Sequence, residues 1–277
     1  MRTEVIEKHT KKFSIFTVAS LAIVALLIGT LFLYRKEAGY FLGHTDVLLL
    51  PGVALFLDRD NILAEHIGNY YFNEFNNGAY DLEKVVEYFT KALEIDPQSP
   101  IAWFQLARVD FLKGNFQSAL YKINKQIELH GDNKENAYYI RGLIYGYDGQ
   151  LEKAEQDFLK FLSFEAESRG WAVHNDLAWI YFRQGNYERA EHFANQGLLY
   201  NPGNAWLLIM RGVSLLNLGE KQEAKEVLEE ALAAVEQLTE EDWQGAYPGN
   251  DPRVASEGLR EMREVVEFNL SLVTVGK

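Results

Sequence analysis

The sequence predicts an all-α chain: a solenoid of helical hairpins closed by a C-terminal capping helix and preceded by one transmembrane helix. Three observations carry this. The 22 residues from Phe13 to Tyr34 contain no charge. Four glycines, Gly114, Gly149, Gly185 and Gly219, follow one another at 35, 36 and 34 residues, a period that signals a repeat architecture. Small residues recur at fixed offsets on both sides of those glycines.

Composition bounds the function classes. The 277 residues are 48% hydrophobic and 24% charged, enough for one large domain or two ordinary ones. Cysteine is absent, which excludes disulfides, thiolate metal sites and a cysteine nucleophile. The net charge of −13 is unevenly placed: residues 1–36 hold six Lys/Arg against two Asp/Glu, and the remainder holds 21 against 38. An acidic body disfavours nucleic acid as a partner, because phosphate binding needs a basic surface that releases counterions.

Residues 1–12 form a basic tail and residues 13–34 the membrane-spanning helix. At 1.5 Å per residue, 22 residues reach about 33 Å, enough for a hydrocarbon core of about 30 Å. A cleaved signal would have a shorter apolar region of about 7–15 residues followed by small residues, whereas this run continues into LFLYRKE. An uncleaved anchor is expected. Arg2, Lys8, Lys11 and Lys12 precede the span, and Arg35 and Lys36 follow it, which places the N-terminus in the cytoplasm and the body outside. Residues 35–64 form an apolar linker, with Val47–Leu50 and Val53–Leu57 split by Pro51 and Gly52. It is too short and broken to span, so it must dock on the membrane surface, on a partner or on the chain's own repeats.

The repeats occupy residues 100–238. The eighth position of each frame holds Ala107, Gly142, Ala178 and Gly212, and the twentieth Ala119, Ala154, Ala190 and Ala224. Small residues belong there because paired helices approach to about 8–10 Å. The fourth position (Trp103, Tyr138, His174, Leu208) and the twenty-fourth (Ile123, Phe158, Ala194, Leu228) fill the layer between units. These residues resemble the tetratricopeptide repeat, a helical hairpin of 34 residues with a proline near its end, here Pro202. A fifth, divergent unit is expected at residues 65–99, starting near His66, with Phe89, Ala92 and Pro97 in its late positions and Asn73 replacing the small residue at position eight. Ser99 is its boundary cap, with Pro100 opening the next helix.

Periodicity stops after Gln237, and residues 239–277 read as a loop and a capping helix that begins at Pro252 with Asp251 as cap. Its Leu259, Met262, Val265, Val266, Phe268 and Leu270 are expected to cover the last repeat, as solenoids require, with Trp243 and Tyr247 tucked onto that helix.

No catalytic constellation is encoded: HExxH, GxSxG, a GKS or GKT phosphate loop and GxGxxG after a strand are all missing. No enzyme activity, cofactor or metal is expected. His174 and His192 lie on the two helices of one repeat without obvious third and fourth ligands, and the acidic LDRDNILAE stretch lacks the turn glycine of a calcium loop.

The resemblance implies a concave surface lined by the first helix of each hairpin. Its side chains here include Phe104, Arg108, Phe111, Tyr139, Tyr147, Asn175, Trp179, Phe182, Arg183, Trp206 and Ile209. Such a surface, aromatic with a few Arg and Asn donors, suits a protein or peptide partner. The lysines of the family's two-carboxylate clamp are missing from these positions, which disfavours capture of a C-terminal carboxylate. The expected role is a membrane-anchored interaction scaffold. The alternatives are a groove filled by the chain's own linker and a self-assembling homo-oligomer.

Overall fold

A computed structural model describes residues 59–72, 80–99, 101–131, 136–164, 170–246 and 251–274. Five helical hairpins follow one another: α1 (Asn61–Tyr71) with α2 (Leu82–Ile95), α3 (Ala102–Leu112) with α4 (Phe116–His130), and α5 (Asn136–Tyr147) with α6 (Leu151–Leu162). Next come α7 (Gly170–Arg183) with α8 (Tyr187–Tyr200) and α9 (Ala205–Leu218) with α10 (Lys221–Gln237). A short α11 (Glu240–Ala246) and a 3-10 turn (Pro252–Val254) lead to the long α12 (Ala255–Thr274), which packs on α10. Each of the ten hairpin helices packs on its neighbours in sequence, and from the second hairpin onward the first helices of successive hairpins also touch, α7 with α9 most closely. The expected all-α solenoid is therefore present. The span at residues 13–34 and most of the apolar linker lie outside the described residues. Among the described residues no helix is long and apolar enough to cross a membrane.

The seam inside each hairpin explains the spacing. Ala107, Ala178 and the four alanines at the twentieth position have no exposure. Where glycine takes the eighth position, a large side chain fills the space. A Cβ on Gly142 would lie 2.7 Å from the Phe158 ring, and one on Gly212 would lie 2.7 Å from Leu228. Gly114, Gly149, Gly185 and Gly219 sit at φ of 72°, 82°, 74° and 83°, the left-handed region where a Cβ is costly and where a helix can end on a tight turn. Arg141 and Asp157 strap α5 to α6 with two bonds of 2.7 Å, a bidentate geometry that satisfies a carboxylate only 8% exposed.

The first hairpin departs from the expected register. Counting back from Pro97 puts its small residue at Asn73 and its start near His66. Instead α1 begins at Asn61, where the Asp60 carboxylate accepts from the Ile62 amide at 2.8 Å, and Gly68 takes the close-approach place with its missing Cβ 2.8 Å from Phe89. The interval from small residue to partner is 21 residues here, against 16 in Gly142–Phe158 and Gly212–Leu228. The connection between the two helices is correspondingly longer, and a fixed frame cannot register it. The linker accordingly ends before residue 60 rather than at 64. Ser99 caps as expected, accepting from the Ala102 amide at 2.9 Å, and its hydroxyl also donates to buried Glu65 at 2.5 Å, tying the second hairpin to the first. At the boundary marked by Pro202 the cap is Asn204, which accepts from the Leu207 amide at 3.1 Å.

Candidate functional groove

The first helices of the fourth and fifth hairpins project their aromatic residues to the inner side, because their opposite faces are consumed by the seams. Between α7, α9 and α12 they leave a groove of about 400 Å³. Tyr147, Asn175, Asp176 and Trp179 form one side, and Trp206, Ile209 and Met210 the floor. Trp243, Gly258, Glu261, Met262 and Val265 close the C-terminal side.

Several contacts hold this arrangement in place. Trp179 lies 5.1 Å from the Tyr147 ring, and the Arg183 guanidinium lies 5.1 Å from its indole while donating to the Gly146 carbonyl at 3.2 Å. Gly146 is the seat: a Cβ there would come within 2.9 Å of the Trp179 ring. Trp206 is backed by Trp171 at 5.7 Å. Asp176, buried in α7, accepts from the Tyr139 hydroxyl at 2.7 Å. Trp243 lies on Gly258, whose Cβ would come within 2.3 Å of the indole, so a glycine at that turn of α12 is what allows the ring to close the groove.

Of the eleven residues expected on the concave face, Tyr147, Asn175, Trp179, Trp206 and Ile209 line the groove. Tyr139 supports Asp176 from behind, Arg183 braces Trp179, and Phe111 meets Tyr147 edge-on at 5.3 Å. The other three lie elsewhere. Phe182 packs on Tyr187 of its own hairpin at 5.3 Å and joins the cores of the fourth and fifth hairpins, so it is a packing residue. Arg108 sits over Phe72 at 4.5 Å and over Phe104 at 5.9 Å, between the first and second hairpins.

The wall from α11 and α12 was missed by counting repeats. The capping helix was expected to turn all its apolar residues onto the last repeat. Met262, Val266, Leu270 and Val273 do so, whereas Val265 and Phe268 remain 48% and 63% exposed. The signal was present: two apolar series interleave along α12, and one stripe can bury only one of them. His174 has a structural setting, buried and hydrogen-bonded to the Gly170 carbonyl, with Tyr200 and Phe193 against its ring. Burial pushes its pKa down, against the carbonyl bond, and nearby His192 lowers it further.

Two tetratricopeptide repeat models match the sequence, over residues 139–204 and 181–247. A TPR repeat-containing protein of Methanocaldococcus jannaschii is 31% identical over 165 residues, covering 59% of this chain and 28% of the relative. The TPR repeat-containing protein YpiA of Bacillus subtilis is 28% identical over 183 residues, covering 64% and 40%. The chain thus spans less than half the length of these curated relatives. Among solved structures, a tetratricopeptide repeat protein from Parabacteroides merdae superimposes with a TM-score of 0.57 at 18% identity, covering 88% of this chain and 98% of that one. The MamA protein gives 0.53 at 18% identity, covering 65% and 96%. At such identities the structures speak to the fold alone. With the seams, the turn glycines and both matching models in agreement, residues 139–247 carry tetratricopeptide repeats.

Proposed function

We propose that the chain is a membrane-anchored scaffold that binds a protein or peptide segment in the groove between α7, α9 and α12. The observation that carries this is the groove itself: three indoles and four aliphatic or thioether side chains bound a space open to solvent. Rigid aromatic anchors placed in a recess are what concentrate binding energy at protein interfaces. The tetratricopeptide relatives support an interaction role, and catalytic chemistry has no residues to carry it in the reading above. Anchoring rests on the uncharged run at residues 13–34, with the body extracytoplasmic on the strength of the flanking Lys and Arg.

The test is recovery of partners with the full chain solubilised from its membrane. Trp179→Ala combined with Trp206→Ala is expected to abolish recovery while helical content is kept; unchanged recovery contradicts the groove. If residues 47–57 fill the groove instead, deleting them raises recovery. A homo-oligomer held by this face shows as a mass change in detergent on the same double substitution. Release of the chain by an alkaline wash of the membranes would contradict the anchor.

A further inference from the structure

The walls of the groove differ in kind from its floor. The twelve lining residues include two carboxylates, Asp176 and Glu261, and no Lys, Arg or His. Neighbouring acids of α12 are neutralised: Arg260 pairs with Glu257 and Glu264, and Arg263 with Glu236 and Glu267. Glu261 has no such partner among the described residues. Arg183, the cation seated on Trp179, is committed to the Gly146 carbonyl. Indole faces attract cations through their quadrupole, and a carboxylate at the same recess adds a Coulombic attraction.

The surface beside the groove extends this chemistry. Val265, Phe268 and Leu272 are 48%, 63% and 48% exposed and lie three and four residues apart, so they form one stripe on one side of α12. Glu261 lies one turn before Val265 on that side. The stripe therefore runs from the groove toward the end of the helix as an apolar track with an acidic head.

We propose, resting on the groove reading above, that the occupant is a cationic apolar segment of a partner protein. A Lys or Arg side chain enters between the indoles and Glu261, and apolar residues next to it lie along Val265, Phe268 and Leu272. The excess of acid over base in the body, 38 against 21 beyond residue 36, favours the same partner at longer range. A second copy of this chain is the poorer fit, because packing two such stripes brings acidic heads together without offering a cation.

The test uses the full chain in detergent and short labelled peptides of Leu, Phe and Lys, with Lys replaced by Gln or by Glu in matched controls. Dissociation constants are read by fluorescence anisotropy. The Lys peptide is expected to bind most tightly and the Glu peptide least, and the Lys advantage is expected to shrink as salt shortens the screening length to about 3 Å near 1 M. Glu261→Gln is expected to weaken the Lys peptide by up to about fivefold, the upper end for an exposed ion pair, and to leave the Gln peptide unchanged. Trp206→Ala weakens both. If all three peptides bind alike and Trp206→Ala still abolishes binding, the groove reading stands and the cation preference is overturned. If no peptide binds, or Trp206→Ala changes nothing, both fall; that is the result when residues 47–57 or a second copy already occupies the site.

Discussion

The seams within hairpins and the groove across hairpins are made by the same helices, yet their side chains answer to different constraints. At a seam two helices must meet, so the eighth and twentieth positions are small in all four units of residues 100–238 and the twenty-fourth adjusts its size to them, Phe158 over Gly142 and Leu228 over Gly212. In the groove nothing in the fold forces Trp179 in one unit and Trp206 in the next; both are partly exposed, and neither recurs at its position in the neighbouring unit. Regular recurrence therefore marks stability, and departure from it marks the surface available for recognition.

Substitutions that separate the two regions test this. The largest effect is expected at a seam. Phe158→Ala empties a fully buried site and is expected to cost about 3–5 kcal/mol, read by chemical denaturation. Gly142→Val overpacks the same seam from the other side, since its Cβ meets Phe158 at 2.7 Å, and is expected to cost about 1–3 kcal/mol. Gly146→Ala sits where the regions join. Its methyl meets the Trp179 ring at 2.9 Å, so the indole must move, and the expected signature is a shifted tryptophan emission and weaker ligand binding with little loss of stability. If Gly146→Ala unfolds the chain as readily as Gly142→Val, groove and seam are one packing unit and the distinction fails.

A pH titration gives the smallest and most local effect. Burial holds the His174 imidazole below its ordinary pKa of 6.5. The unfolded chain then binds this proton more readily than the folded one, so stability is complete above pH 6.5 and declines as pH falls through the lower folded-state value. His174→Leu, the residue type at the same position in the next unit, is expected to flatten that part of the stability profile. An unchanged slope would show that other groups set it.

Much of the fold was legible because it is periodic. Gly149 and Gly185 mark the turns, Ala154 and Ala190 the seams, and Asp251 and Pro252 the start of the last helical segment, where Asp251 accepts from the Arg253 amide at 2.9 Å. The first hairpin was misregistered because its inter-helix connection is longer than the frame. The groove was half legible. Tyr147, Trp179 and Trp206 sit at inward positions of the repeat, so spacing finds them. Trp243, Glu261 and Val265 come from outside the repeats, and only the packing of α12 against α10 brings them opposite the indoles. Phe182 shows the converse: its position faces inward by count, but Tyr187 and the adjoining cores consume its ring.

Hydrogen–deuterium exchange of the full chain, with and without its bound partner segment, tests the central claim most directly. The account predicts added protection in the middle of α7 around Asn175–Trp179, in α9 around Trp206–Met210 and in α12 around Gly258–Val265, with the outer helices α8 and α10 unchanged. Protection confined to α8 and α10, with these three segments exchanging as before, would contradict it.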